Sequence, residues 1–465
     1  MESKEKVKEI AVKEGFTVYS ASYGKIEDSF FMVIGRNGEK YLLMEKNLFN
    51  LKGQKVGKWF IFSLTSSLLK FLREVLNFLN PEACLSKPSF GFGDRLGIST
   101  PAHISSFSGY SVFPFLAQQS VRELERTRRS MEEVIESAAW GCLESGYRGK
   151  WGADADHLKN MQEVKESAKA GFTMFTLDIS DFLNPEEDIP ETWQKKIRDL
   201  EGKSYPHTNF NRGLLEELTI IYWKGLEFVK EAYYYLKGTL TSFNLELSVD
   251  ESGVPTTPQA HIFIVESLKS EGVEITSFAP CFPGSFQKGV DYKGNQEEFR
   301  RSFKIHSEIA SLGGYRLSLH SGSDKFSLYP LMKPYLPFHV KTSGTTWLEG
   351  VFTIAEVDFS LFQEIMKIAR TSYPQDRRSY EVSASLRLCP DTEEIKRGIP
   401  QIFENPHLRQ ILHVTYGSVL RELKEDIMRC LLKNEDSYCN RVSKHLRRHV
   451  EKLYEEERRV SDECL

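Results

Sequence analysis

The sequence predicts an α/β protein built on a (β/α)8 TIM-type barrel, with a small N-terminal α/β extension and C-terminal helices. From residue 86 onwards, about eight short apolar runs alternate with amphipathic helical patterns, which is typical of parallel strands joined by helices. These repeats extend over roughly 260 residues, the size of a closed barrel. Polar residues gather at the C-terminal ends of the runs, where a barrel carries its active site.

The patterns along the chain of 465 residues indicate three parts. Residues 1–85 form a small α/β unit, because short β-rich runs flank the hairpin signal at Asn37 and Gly38 and a helical pattern ends before Pro81. Residues 86–425 form the barrel domain. Residues 426–465 form a charged helical tail, which we expect to be solvated or to contact another subunit.

The predicted barrel strands are rich in apolar residues and are separated by helical patterns. In chain order they are SFGFGDR, SVFPFLA, WGADADH, FTMFTLD, FNLELSVDE, ITSFAPCF, YRLSLHSG and FHVKTSG. An open, doubly wound sheet is the alternative arrangement. The first of these strands is not followed by a GxGxxG motif, which argues against the dinucleotide-binding form of that alternative.

Composition narrows the class of protein. Apolar residues make up 40% and charged residues 27% of the chain, and the net charge is −4 with both signs interspersed. A nucleic-acid-binding protein would show a basic stripe. The chain has no apolar run of about 18 residues and no signal-like N-terminus, and its seven cysteines form no CxxC pair. We therefore expect a cytoplasmic protein without nucleic-acid or membrane partners, and a homo-oligomer is left open.

The stretch KWGADADHL crowds Asp154, Asp156 and His157 into four positions. Charged groups this close are kept together mainly around a cation, a proton or a substrate hydroxyl. Asp154 and Asp156 share one face of a strand, and such a pair can divide into a base and a group that holds a proton or a metal. Asp156 and His157 point to opposite faces unless the chain turns between them.

Further polar strand ends supply candidate ligands and substrate-binding groups. His320 and His339 end neighbouring strands and could bind a divalent metal together, with His157, Asp156 or Glu251 as third ligand. Glu251 is also a candidate acid or base, or the cap of the following helix. Three further polar side chains near strand ends are expected to bind substrate, the two cations by pairing with an anionic group: Arg95, Asp178 and Lys341.

Several long motifs in one order resemble the tagaturonate epimerase family: WGADADHL, FTMFTLDISD, SVDESGVPTTP, SLHSGSDKFSLYP, FHVKTSGTTWLEG and LHVTYGSVL. The resemblance implies a barrel enzyme that interconverts the sugar acids D-tagaturonate and D-fructuronate with a divalent metal such as Zn, Mn, Ni or Co. At the matching motifs it implies that Asp156 is the base and Glu251 an acid. It also implies the metal ligands His157, His320 and His339. Within the crowded stretch, we expect Asp154 to orient its neighbours.

The implied substrates constrain the mechanism, because they differ at the carbon β to the ketone, whose C–H bond the carbonyl does not acidify. Retro-aldol cleavage followed by re-addition solves this problem. Transient oxidation would need a nicotinamide, for which the sequence has no fingerprint. Another barrel aldolase or ketose isomerase acting on neutral sugars such as fructose or tagatose, and a homologue that only binds, are the alternative functions.

Overall fold

The computed structural model describes residues 2–84, 88–398 and 401–454. Eight parallel strands close into a barrel surrounded by helices, an antiparallel sheet precedes it, and helices follow it. This architecture confirms the predicted fold class. The predicted boundary between residues 85 and 86 lies outside the described residues, as does the end of the predicted tail from residue 455.

The β-strands fall into the N-terminal sheet, the barrel and a short hairpin. The N-terminal sheet contains β1 (Thr17–Val18), β2 (Gly24–Ile26), β3 (Ser29–Arg36), β4 (Glu39–Met44), β5 (Gln54–Val56) and β6 (Trp59–Ser63). The barrel begins with β7 (Ser89–Gly93), β8 (Phe113–Ser120), β9 (Gly152–Leu158) and β10 (Met174–Asp178). After the hairpin of β11 (Ser204–Tyr205) and β12 (Thr208–Asn209), it continues with β13 (Asn244–Ser248), β14 (Ser277–Ala279), β15 (Arg316–Leu319) and β16 (Phe338–Thr342).

The α-helices cover the outside of the barrel and its C-terminal side. The first nine are α1 (Glu2–Lys13), α2 (Ser66–Val75), α3 (Thr100–Phe107), α4 (Val121–Thr127), α5 (Met131–Ser145), α6 (Met161–Ala170), α7 (Glu191–Leu200), α8 (Arg212–Thr239) and α9 (Pro258–Ser270). The later ones are α10 (Gln296–Gly313), α11 (Tyr329–Met332), α12 (Thr345–Val357), α13 (Phe359–Asp376), α14 (Thr392–Gly398), α15 (Pro406–Val414), α16 (Tyr416–Lys433) and α17 (Glu435–Leu453). None of these described helices is long and apolar enough to cross a membrane.

The barrel strands follow one another in chain order, and β16 closes the barrel by pairing with β7. Each of the eight predicted runs overlaps one of these strands. Inward-facing side chains form successive levels, because neighbouring parallel strands pair in register. In β15 and β16 the pairing joins Ser318 to His339. The next inward positions, His320 and Lys341, therefore lie one level nearer the C-terminal end of the barrel.

The N-terminal unit is an antiparallel sheet in the order β1-β3-β4-β6-β5, with β2 paired to β3. The predicted hairpin joins β3 to β4, and both of its turn residues, Asn37 and Gly38, have positive φ angles of 55° and 82°. Such angles match the right-handed twist of the two strands. Residues such as Leu68 and Leu72 on α2 are buried in the core that the unit shares with the barrel.

The last described helix, α17, is not a solvated tail, because one face of it is buried against α3 and α12. Asp324, in the loop after β15, accepts a hydrogen bond from His445 Nε2 on α17 at 2.7 Å and another from Arg409 on α15 at 3.0 Å. The backbone N–H of Asp324 also donates to His449 Nε2 at 2.9 Å. The C-terminal helices therefore hold the loop that begins at His320.

Candidate active site

A buried lysine lies at the centre of the polar residues inside the barrel. Lys341 Nζ is 2.8 Å from Asp154 Oδ2, 2.7 Å from Asp156 Oδ1 and 2.9 Å from Glu246 Oε1. Burial alone would lower the pKa of Lys341, but these three carboxylates hold it well above its usual value. Lys341 is therefore a cation that offsets part of the negative charge of these carboxylates, and its donors are engaged by protein acceptors.

The chain turns at His157. This turn allows the side chains of Asp156 and His157 to meet, although consecutive strand residues normally point to opposite faces. His157 has a φ of 56°. The register between β9 and β10 shifts there, so that Ala155 pairs with Phe175 but Leu158 pairs with Leu177. This bulge brings His157 Nδ1 to 2.9 Å from Asp156 Oδ1. Although burial opposes it, His157 and Lys341 hold the pKa of Asp156 well below its usual value.

Two histidines converge on Asp250. His320 Nδ1 lies 3.0 Å and His157 Nε2 lies 3.5 Å from Asp250 Oδ1. The other nitrogen of each ring contacts a carboxylate, since His320 Nε2 is 2.7 Å from Glu246 Oε1 and His157 Nδ1 contacts Asp156. Burial alone would lower the pKa of His320, but the carboxylates around it, led by Asp250, raise it to about 9.

The donor set of His157, Asp250 and His320 fits a divalent cation. Its ligand atoms lie within 4.8 Å of one another, and imidazole with carboxylate is a common donor set for transition metals. A carboxylate on the second nitrogen of a ligating histidine fixes the ring and raises its basicity. A second group in the described chain, Asp324 with His445 and His449, is already paired internally as described above.

The structure does not bring His339 into the group of His157, Asp250 and His320. His339 Nδ1 lies 2.9 Å from Ser89 Oγ, and its ring meets the ring of Phe115 edge-on, with the centroids 5.2 Å apart. Burial lowers the pKa of His339 to about 3. The side chain lies one level deeper in the barrel than His157, Asp250 and His320 do, and its role as a metal ligand stays a prediction.

The site residues line a narrow cavity of about 40 Å³, and a wider cavity of about 340 Å³ shares several of the same lining residues. Glu251 lines both cavities, and its side chain is 38% exposed beside Arg122 at 3.4 Å and Lys159 at 3.7 Å. A larger cavity of about 770 Å³ lies near the start of β15, between α9 and α10, away from these polar residues. The chemistry of the side chains, rather than cavity size, identifies the site.

All three predicted substrate-binding residues have protein partners. Those of Lys341 are described above, and those of Arg95 and Asp178 follow. Arg95 Nε donates to Glu123 at 2.8 Å, and its guanidinium stacks 3.6 Å from the centre of the Tyr416 ring. Asp178 is fully buried, accepts from the backbone N–H of Ser180 and pairs with Lys159 at 3.2 Å. Arg95 lines the narrow cavity, whereas Asp178 lines neither of the two cavities at the site.

Sequence reasoning missed Glu246 and gave Asp250 no specific role. Glu246 lies between two leucines in FNLELS, and the period-two pattern places it on the same face as Asn244 and Ser248. A carboxylate at an interior position of an apolar strand was the signal that could have identified it. Asp250 follows the strand, and only the folded barrel shows that it faces two histidines.

The fold and the site define a (β/α)8-barrel enzyme with a histidine–carboxylate centre at the C-terminal ends of its strands. The family model described as UxaE, tagaturonate epimerase, matches residues 19–453. The chain is 39% identical over 467 residues to the tagaturonate/fructuronate epimerase of Thermotoga maritima, covering 94% of this chain and 97% of that protein. The chain therefore belongs to the tagaturonate epimerase family, and the predicted family is confirmed.

Crystal structures of fructuronate-tagaturonate epimerase UxaE from Cohnella laeviribosi are similar over almost the whole chain. The native structure and a glycerol complex each have a TM-score of 0.89 and 30% sequence identity to this chain. Each alignment covers 97% of this chain and 99% of the other. The similarity therefore includes the N-terminal sheet and the C-terminal helices as well as the barrel.

Proposed function

We propose that the protein interconverts D-tagaturonate and D-fructuronate by retro-aldol cleavage and re-addition at the carbon β to the ketone. The observation that carries this proposal is the convergence of His157, Asp250 and His320 beside the exposed carboxylate of Glu251, in a member of this family. The chemistry needs one group that moves a proton and a centre that stabilises negative charge on the ketone fragment.

His157, Asp250 and His320 would hold a divalent cation, with Asp156 and Glu246 orienting the two imidazole rings. When bound, such a cation supplies Lewis-acid polarisation of the ketone oxygen and stabilises the negative charge that cleavage leaves on that fragment. The donor set favours a transition metal, without selecting among Zn, Mn, Ni and Co.

Glu251 is the proposed proton-transfer group. It takes the proton from the hydroxyl on the β carbon while the bond between the α and β carbons breaks, so that the β carbon becomes an aldehyde. The aldehyde rotates, the carbon–carbon bond re-forms on its other face, and the proton returns to the new hydroxyl. Its 38% exposed side chain lines both cavities, so it can reach a substrate there.

Asp156 suits a role in orienting His157 better than the role of base that the family resemblance implies. Its Oδ1 contacts both Lys341 and His157, at 2.7 and 2.9 Å. Both contacts stabilise the ionised carboxylate and so make it a poor proton acceptor. Asp154 lies deeper, where burial raises its pKa to about 6 despite Lys341. We therefore propose that Asp154 and Asp156 position Lys341 and His157.

The proposed reaction predicts turnover of both sugar acids and its loss on metal removal. The purified enzyme should convert D-tagaturonate to D-fructuronate and the reverse, and a chelator should abolish turnover until a divalent cation is restored. Product analysis by NMR, with and without chelator, checks this. Turnover that survives complete metal removal contradicts the metal role, and conversion of neutral ketoses without the uronates favours the alternative substrate class.

The ligand assignment predicts opposite results for two buried histidines. His320→Ala should lose the bound cation, because it removes one of three converging donors, whereas His339→Ala should retain it, because that ring bonds Ser89 instead. Metal content per chain, measured by mass spectrometry after desalting, separates the two. Equal metal loss in both variants would restore His339 as a ligand, and retention in His320→Ala would remove His320 from the set.

A further inference from the structure

Two basic side chains at the site belong neither to the proposed metal centre of His157, Asp250 and His320 nor to the group of carboxylates around Lys341. Lys288, in the loop after β14, and Arg122, on α4, line both the narrow cavity and the wider one. Lys288 Nζ donates to Ser321 Oγ at 2.7 Å. An ammonium has three N–H donors, so the hydrogen bond to Ser321 leaves donors for a ligand.

The charges around the cavity set Lys288 apart from the other cations that line it. Lys341 contacts three carboxylates, and Arg95 pairs with Glu123. Arg122 is 3.4 Å from Glu251 through one nitrogen, and its side chain is 39% exposed. Within the described part of the chain, no ion pair within 4.0 Å involves Lys288. A cation in this setting attracts an anionic group from solution.

The loop that carries Lys288 is fastened on both sides of this residue. Lys325 is buried, and its Nζ donates to the carbonyl oxygens of Gln287 at 2.9 Å and Val290 at 2.7 Å. Arg409 Nε donates to the carbonyl oxygen of Gly289 at 2.8 Å. The backbone around Lys288 is therefore ordered before any ligand arrives, which lowers the entropic cost of binding.

We infer that Lys288, with Arg122 beside it, binds the carboxylate of the sugar acid and so selects hexulosonates over neutral ketoses. This assignment rests on the proposed function. In a hexulosonate the ketone and the carboxylate lie near opposite ends of the six-carbon chain. We place the ketone near His157 and His320 and the carboxylate beside Lys288, which lines the same two cavities as His320.

Steady-state kinetics of Lys288→Met with D-tagaturonate test the assignment. The KM should rise about 10- to 100-fold, because a charge-assisted hydrogen bond is lost, while kcat should stay within about threefold. Lys288→Arg should recover most of the affinity, since it keeps the charge. Lys304→Met, which removes an exposed lysine on α10 that is 3.9 Å from Glu308, should match the wild type.

Each outcome supports or overturns the assignment. An unchanged KM in Lys288→Met, or a fall in kcat alone, overturns it while leaving the proposed function intact. A wild-type enzyme that converts neither hexulosonate overturns the proposed function and this assignment with it. If the methionine variant does not fold, the same kinetic measurement is made on Lys288→Gln, which keeps a polar end at the same position. Thermal unfolding of each variant identifies that case.

Discussion

Replacing Lys341 by methionine should produce the largest loss of stability of any single substitution in the site. The side chain fills a similar volume, but Asp154, Asp156 and Glu246 would then share the barrel interior without their common cation. Removing one partner of a buried ion pair costs about 3–5 kcal/mol, because the remaining charge is left buried. We expect at least this decrease in the free energy of unfolding at pH 8, measured by urea denaturation with chelator present.

The difference between wild type and Lys341→Met should shrink as the pH falls. In the wild type, Lys341 helps to hold the pKa values of Asp156 and Glu246 well below their usual range, although burial opposes this. Those two carboxylates therefore stabilise the fold above their unfolded pKa of about 4, and this contribution fades in acid. In the variant, unpaired burial raises carboxylate pKa values, so protonation on going from pH 8 to 5 relieves the repulsion.

A matched control distinguishes the buried charge from the loss of a lysine as such. Lys304→Met removes a lysine that is 53% exposed and lies 3.9 Å from Glu308. Surface substitutions of this kind usually change the free energy of unfolding by less than about 0.5 kcal/mol. The contrary result is a free energy of unfolding for Lys341→Met within about 1 kcal/mol of the control at pH 8, roughly the scale of a surface ion pair. In that case the burial of the three carboxylates does not depend on Lys341.

The barrel and most polar strand ends were predictable because both follow from local pattern. Period-two alternation placed Asp154 and Asp156 on one face, and both indeed contact Lys341. The bulge at His157 was not predictable, since it depends on how β9 registers against β10, and a strand's own sequence does not contain its partner's register. Period-two alternation therefore located the site but did not determine the direction of the His157 side chain.

The side-chain contacts that the sequence did not predict join distant parts of the chain. His339 lies near the start of β16, and its pairing with Ser318 sets it one level deeper than His320. Arg95 meets Glu123 from the following unit, and Glu246 meets Lys341 only when the barrel closes. Side-chain type and spacing identify which residues carry charge into the barrel, whereas strand register decides which of them meet.

Replacing Glu251 by glutamine should have the largest effect on turnover among substitutions that leave the proposed metal centre intact. The amide keeps the size of the side chain and its position beside Arg122 but cannot accept the substrate proton. General-base catalysis contributes about 10²- to 10⁴-fold, so kcat should fall by that factor. Metal content should not change. Glu381→Gln, an exposed change at the rim of the wider cavity, is the control and should keep wild-type kcat.

Asp156→Asn separates proton transfer from ligand orientation. If Asp156 orients His157 through the contact of 2.9 Å, its loss should weaken metal affinity about 10- to 100-fold. Excess metal should then restore much of kcat. Asp156→Asn with unchanged metal affinity and a kcat that metal cannot rescue would return the role of base to Asp156. A wild-type kcat in Glu251→Gln would exclude Glu251 as the proton-transfer group. The two variants together identify the residue that transfers the substrate proton, because loss of an orienting residue and loss of the base are expected to respond differently to added metal.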